Sequence, residues 1–289
     1  MPLLEAGTFV DTAYAKVNLA LHVRERRADG YHALESLFVF AKVGDQLSGH
    51  LNDDGEVSLT LDGPFAASLG CGADNLVMKA AKMLQEYLGE ERGALLKLTK
   101  NLPVASGIGG GSADAAAALR LLNRLWDARL PAAELERLAL DLGSDVPACV
   151  RSVTQMVRGR GEVLEPRHVE GLLGTPMLLV NPGIGISTAS VFSRWDGVDR
   201  GPLTATTLDD LIVGARNDLE RAAMESAPVI ADVLHLLHEQ PGVSLARMSG
   251  SGATCFALFD DADRRTEAAR LISSYQPGWW VLETEIGGA

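Results

Sequence analysis

Four glycines within five positions, Gly107, Gly109, Gly110 and Gly111, stand directly against a run of alanine and leucine that continues to Trp126. Glycine adopts positive φ and lets the backbone approach other groups closely. Alanine and leucine are the strongest helix formers. Side by side they predict an extended segment, a sharp turn and then a helix over about 112–126. Such a helix aims its unpaired N–H groups, and roughly half a positive charge, back at the turn. Loop and helix start together form an anion cradle, most naturally for phosphate. Ser112 is placed to cap the helix, to meet a phosphate oxygen or to touch a metal. The ordinary structural alternative is a tight strand-to-helix turn with no ligand.

Three known phosphate loops do not fit. A Walker A loop needs a lysine directly after its last glycine, and Ser112 follows Gly111 here. A dinucleotide fingerprint needs a glycine where Ser112 stands, after the first strand of a βαβ unit. The accompanying motifs of protein kinases are missing.

At 289 residues the chain is long for one domain, and two are expected. The net charge of −12 disfavours a nucleic-acid partner. Cys71, Cys149 and Cys255 are odd in number and far apart, which fits a reducing compartment better than a disulfide framework. No apolar run reaches the roughly 18 residues of a membrane span. The start has no basic stretch before an apolar core, so no signal peptide is expected. A cytoplasmic protein, not bound to membrane, is predicted.

Alternation predicts strands over 12–27, one or two more over 33–51, and others at 56–63 and 93–103. Helical spacing predicts a helix over 75–89 and another from Pro131 to the Gly143-Ser144 break. A hairpin over 154–166 and a buried strand from 175 follow. Next come helices interrupted at Asn217 and Pro228, two short strands about a Gly-Ser-Gly turn, a helix over 263–275 and a last strand. Strands and helices mix without regular βα alternation, so the fold class is α+β.

Several stretches carry more than pattern. "PVASGIGGGSADAAAAL" resembles the glycine-rich ATP loop of the GHMP kinase superfamily, small-molecule kinases of galactose, homoserine, mevalonate and phosphomevalonate. "AYAKVNLALHV", "DGYHALESLF" and "GSDVPACV" resemble the branch that acts on a CDP-linked methylerythritol in the non-mevalonate isoprenoid route. The motifs run in family order from about Ala13 to Phe259.

The resemblance implies a two-domain GHMP kinase fold: a mixed α/β ATP-binding domain over 1–155 and a ferredoxin-like α+β substrate domain over 156–289, with the site in the cleft between them. It implies transfer of the γ-phosphate of ATP, with Mg²⁺, to the 2-hydroxyl of the CDP-linked alcohol. Lys16 and Asp145 match the catalytic pair. Pro103, Val104, Ala105, Ser106, Gly107, Ile108, Gly109, Gly110, Gly111, Ser112 and Ala113 match the ATP loop. Asn18, Tyr31 and His32 match substrate contacts, the last two at the cytidine. Thr188 and Phe192 match further cytidine contacts, with Phe192 stacking opposite Tyr31. "SGSGATCFALF" (Ser249–Phe259) matches the third family motif, with Gly250, Ser251 and Gly252 beside the phosphates. Asn75 and Leu76 match the edge of the adenine pocket. Many relatives have serine at Ala113, so one hydroxyl is lost there; the Mg²⁺ ligands are left unassigned.

Each residue also has a plain reading. A mid-strand lysine such as Lys16 is usually on a solvated face. An aspartate like Asp145 often caps a helix, and so does Asn75. Tyr31 and His32 fit a turn with an aromatic flank, and Phe192 fits a core. His235 and His238 lack partner ligands and read as surface residues. In the functional reading Asp145 accepts the alcohol proton, worth about 10²–10⁴-fold. Lys16, brought near it, stabilises alkoxide character and keeps it ionised. The alternatives are another GHMP kinase, of homoserine or phosphomevalonate type, and a non-catalytic nucleotide sensor on the same fold. A monomer or weak homodimer is expected.

Overall fold

The computed structural model describes residues 7–28 and 30–288. The chain packs as two compact units that do not follow chain order. Of the described residues, one takes in 7–15, Val43–Val104 and Gly110–Arg151; the other takes in those of 16–42, Ala105–Gly109 and 152–288. Strands β1 (Phe9–Arg26) and β2 (His32–Asn52) are long enough to serve one unit with one end and the other unit with the other end. The stretch that alternation left as one or two strands is a single strand of 21 residues.

In the first unit, the C-terminal half of β2 pairs antiparallel with β4 (Gly93–Thr99), from Gln46 opposite Thr99 to Asn52 opposite Gly93. Strand β3 (Val57–Asp62) pairs parallel with β4, and helix α1 (Leu76–Leu88) makes the crossover. The Asn75 side chain accepts from the Val77 N–H at the start of α1, and Gly89 ends it in a left-handed conformation. Helix α2 (Gly110–Leu125) begins two residues before the expected Ser112. Its first-turn N–H groups need no intrahelical partner, and glycine is tolerated there. Ala113 and Ala115–Ala118 are at most 2% exposed, so α2 is buried on nearly every side. Alanine permits that because it brings neighbours close without losing side-chain entropy. Helices α3 (Ala132–Ala139) and α4 (Val146–Arg151) follow. The short α4 was not expected; Pro147 in its first turn is pre-set for helical φ. Arg120 on α2 staples the unit, donating to Asp11 and to the Cys149 carbonyl, each at 2.6 Å.

In the second unit, the N-terminal half of β2 pairs with β5 (Gln155–Gly159), which forms the expected hairpin with β6 (Val163–Pro166). A separate antiparallel sheet has the order β10-β7-β9-β8. Its strands are β7 (Pro176–Asn181), β8 (Val243–Met248), β9 (Cys255–Phe259) and β10 (Trp280–Glu285). Between β7 and β8 run α5 (Thr188–Ser193), α6 (Leu208–Gly214), α7 (Glu220–Ser226) and α8 (Val229–His238). Helix α9 (Ala262–Tyr275) joins β9 to β10. Taken alone, these strands have the order 4-1-3-2 with a helical segment after the first and third, which is the ferredoxin-like split βαβ arrangement. Leu178, Val180, Ile230, Val233, Leu237, Phe259 and Ile272 form its core, and Leu21 and Val23 of β1 join it. Each such side chain contributes roughly 1.5–3 kcal/mol by leaving water.

Candidate active site

Lys16 is not on a solvated face: it is 3% exposed. Its Nζ donates to Asn18 Oδ1 at 2.8 Å and lies 4.3 Å from the centroid of the Phe38 ring. Asn18 is held in turn. Its Nδ2 donates to Ser36 Oγ at 2.8 Å, and Ser36 donates to the Ala20 carbonyl at 2.6 Å. One amide therefore fixes the ammonium while a hydroxyl fixes the amide.

The first part of the glycine loop is stitched to the same strand. The Lys16 N–H donates to the Ile108 carbonyl at 3.0 Å, and the Thr254 N–H to the Ser106 carbonyl at 3.0 Å. Ser249, wholly buried, accepts from the Asn18 N–H at 3.0 Å and donates to the Gly107 carbonyl at 2.9 Å. Gly107 has φ +81°, and a Cβ there would stand 2.6 Å from the Ser249 carbonyl oxygen. Gly109 has φ +64°, and a Cβ there would stand 2.9 Å from Lys16 Cε. Both positions need glycine: the backbone is left-handed, and at Gly109 the lysine stem fills the space a side chain would take. The loop is thus shaped around the stem of Lys16.

The third glycine turn lies beside it. A Cβ at Gly250 would come within 3.1 Å of Asn18 Oδ1, and Asn217 Nδ2 donates to the Gly250 carbonyl at 2.8 Å. Ser251 Oγ and Thr188 Oγ1, at the start of α5, are 2.9 Å apart. Gly252 is also left-handed.

An aromatic group stands on the same unit. The His32 ring lies 5.1 Å from that of Phe192 and 5.6 Å, edge to face, from that of Trp195. Burial, with the Arg26 cation second, holds the His32 imidazole below its ordinary pKa, so it is neutral at pH 7. A neutral imidazole can donate from one nitrogen and accept at the other, which suits an uncharged base. Tyr31 is 55% exposed, with the Arg160 guanidinium 4.9 Å from its centroid. The Arg27 N–H donates to the Tyr31 carbonyl, closing the turn; Asp29, within it, lies outside the described residues.

Ala105 belongs to the second unit and has a left-handed backbone, φ +52°; the remaining sequence-derived residues belong to the first unit. Pro103 and Val104 lead into the loop; Gly110, Gly111, Ser112 and Ala113 form the first turn of α2. Ala113 is 2% exposed, so its methyl is part of the core. Asn75 uses both ends of its amide locally, capping α1 and donating to the Gly70 carbonyl at 2.8 Å. Leu76 follows, and its Cδ1 would be 3.5 Å from a Cβ at Gly111, so the start of α1 touches the start of α2. Asp145 sits in a turn directly before α4, with its carbonyl accepting from the Cys149 N–H at 3.4 Å. Trp195 and Arg160 were not singled out from sequence, and Trp195 lies only three residues after Phe192. Ser249 opens the stretch that matches the third family motif, but nothing in the sequence pairs it with Asn18 and Gly107.

Among the described residues no group of three or more His, Cys, Asp or Glu could hold a metal by itself. No helix among them is long and apolar enough to cross a membrane.

Residues 75–152 match the GHMP kinases N terminal domain, and residues 205–276 match the GHMP kinases C terminal domain. A 4-diphosphocytidyl-2-C-methyl-D-erythritol kinase of Rhizorhabdus wittichii is 50% identical over 96% of this chain and 94% of its own. One from Sphingopyxis alaskensis is 47% identical over 96% and 98%. A crystal structure of 4-(cytidine 5'-diphospho)-2C-methyl-D-erythritol kinase superposes with a TM-score of 0.80 at 32% identity, covering 97% of this chain and all of that one. A homoserine kinase from Cytophaga hutchinsonii, with a TM-score of 0.74 at 18% identity over 99% and 97%, shares the fold. Motif order, fold and full-length likeness agree: the chain belongs to the 4-diphosphocytidyl-2-C-methyl-D-erythritol kinase family, ATP-dependent small-molecule kinases of the GHMP fold.

Proposed function

We propose that this chain transfers the γ-phosphate of ATP to the 2-hydroxyl of 4-diphosphocytidyl-2-C-methyl-D-erythritol, giving the 2-phosphate and ADP. The observation that carries the reading is the buried Lys16, held by Asn18 beneath Gly109 of the glycine loop. A buried ammonium fixed against a loop of backbone N–H groups has an anion as its natural partner.

Phosphoryl transfer asks a protein for position and charge neutralisation. The N–H groups from Gly107 to Ser112 and the start of α2 receive the polyphosphate. Asp145 takes the proton of the substrate hydroxyl as its oxygen bonds to the γ-phosphorus and the bond to the β-phosphate oxygen breaks. Lys16 stabilises the negative charge gathering on the transferring group. Asn18 orients Lys16. A magnesium ion would supply neutralisation of phosphate charge, and Ser112, at the start of α2, would be the hydroxyl able to join it. His32, with Phe192, Thr188 and Tyr31, reads the cytidine. Asn75 and Leu76 border the adenine, and Gly250, Ser251 and Gly252 lie beside the phosphates. The adenine-side residues Asn75 and Leu76 and the first turn of α2 then belong to the first unit and the cytidine contacts Tyr31, His32, Thr188 and Phe192 to the second, in the cytoplasm and without nucleic acid. A homoserine or phosphomevalonate substrate would leave the aromatic group on α5 with no base to meet.

Turnover tests the reading. Lys16→Ala and Asp145→Asn should each lower kcat by at least 10²-fold, the scale of one proton-transfer or charge-stabilising group. Near wild-type turnover in both would remove the assignment.

A further inference from the structure

Asp45 on β2, Lys100 just after β4 and Asp114 on α2 form a cluster that the phosphoryl chemistry does not use. All three are at least 97% buried. Lys100 Nζ donates to Asp45 Oδ2 at 2.5 Å and to Asp114 Oδ2 at 2.6 Å. Asp45 Oδ1 accepts from the N–H groups of Asn101 at 2.6 Å and Leu102 at 2.8 Å. A Cβ at Gly110 would stand 3.0 Å from Lys100 Nζ. The cluster therefore meets the chain twice. It holds residues 101–102, where the chain leaves β4 for the glycine stretch, and it lies against Gly110, where that stretch becomes α2. Asp114, one turn further along α2, ties the helix to the same ammonium.

Stability alone is a poor reason for this arrangement. Two carboxylates face one ammonium, and Asp114 Oδ1 is buried with no hydrogen-bond partner among the described residues. Buried ion clusters are often no more stabilising than apolar side chains of the same size. Fixing geometry is what such a cluster does well. Backbone N–H groups bind a polyanion best when they are already in place, because no ordering is then needed at the moment of binding.

We propose that Asp45, Lys100 and Asp114 are positioning residues for the nucleotide, anchoring both ends of the glycine segment so that its N–H groups are set before ATP arrives. This rests on the kinase reading above, and wild-type ADP release checks that reading separately. Asp114→Asn keeps the shape and removes one charge, while Asp45→Asn weakens the hold on Asn101 and Leu102. Each variant should raise the KM for ATP about tenfold, the effect of one charge-assisted hydrogen bond. The KM for the cytidyl substrate and kcat should stay within about threefold of wild type. Melting temperature reports folding for each variant, and ADP affinity by calorimetry repeats the test without turnover. A changed melting temperature with unchanged KM for ATP and unchanged ADP affinity would overturn the proposal. So would equal losses toward both substrates.

Discussion

At the scale of single residues, the site depends on side chains whose hydrogen bonds are nearly all internal. Ser249 is the clearest case: its hydroxyl links the Asn18 N–H to the Gly107 carbonyl, and it is wholly buried. Ser249→Ala leaves both backbone groups without that partner, at a cost of roughly 1–3 kcal/mol. The urea midpoint should fall by a corresponding amount with no change in m, because the exposed surface is the same. The same change should raise the KM for ATP, since Gly107 loses its tether. A normal KM in a destabilised Ser249→Ala protein would show that the tether serves folding only. None of this was legible in the sequence. Asn18 and Ser249 are 231 positions apart, and alternation could place Lys16 and Asn18 on one face of a strand without saying what covers that face. Here both faces of β1 are buried from Ala15 through Val23, so the usual inference that a mid-strand lysine is solvated fails.

At the scale of elements, the legible parts were those where local chemistry decides. The junction of glycine with alanine fixed the start of α2 to within two residues, and Asn75 and Gly89 marked the ends of α1. The strand and helix order of the second sheet could be read because each element is short and bounded by turn residues. The continuity of β2 could not be read, since its two halves pair with different strands, β5 and β4, and pairing is a long-range fact. Helix α5 shows how an element builds a site. Ser187 caps it, its first residue, Thr188, meets Ser251, and one turn later it delivers Phe192 and then Trp195 to His32. Trp195 packs edge-on against His32, a geometry worth about 0.5–1.5 kcal/mol. Trp195→Ala should therefore raise the KM for the cytidyl substrate roughly two- to tenfold while leaving the KM for ATP unchanged, and Trp195→Phe should recover most of the loss. Because burial holds the His32 pKa down, that KM should be flat above pH 7 and rise only below the ordinary imidazole value of about 6.5. A rise between pH 7 and 8 would contradict a neutral His32.

At the scale of the whole molecule, the balance of charge reaches into the core. The chain carries a net charge of −12, and most of its ion pairs are exposed and contribute little. Asp114 differs. Burial pushes its carboxyl up to about 7; Lys100 opposes that rise and Asp45 adds to it, and these are the charged groups that act on it. On Lys100, burial works against the charge, but Asp114 and Asp45 outweigh it and hold the ammonium above its ordinary pKa. The folded protein therefore keeps a proton on Asp114 at pH values where the unfolded chain, with an ordinary carboxyl near 3.8, has released it. The Asp114 contribution to folding stability then falls as pH rises from about 4 to 7 and levels off above, by an amount on the order of a few kcal/mol. Glu220, also raised mainly by burial, slopes the same way, while exposed carboxylates such as Glu134, lowered to about 2 by Arg137, slope oppositely and weakly. The difference between wild type and Asp114→Asn isolates one group from this sum. Urea unfolding at pH 5 and pH 8 should show Asp114→Asn gaining on the wild type at the higher pH, because it retains the Lys100–Asp45 pair without the second buried charge. If the variant is less stable than wild type by the same margin at both pH values, Asp114 is ionised throughout, and the cluster carries its extra negative charge at all times. A gain in stability at pH 8 together with a loss in ATP affinity would place the cost of that carboxylate in the fold and its benefit in the nucleotide loop, the relation expected where a strained site is kept for function.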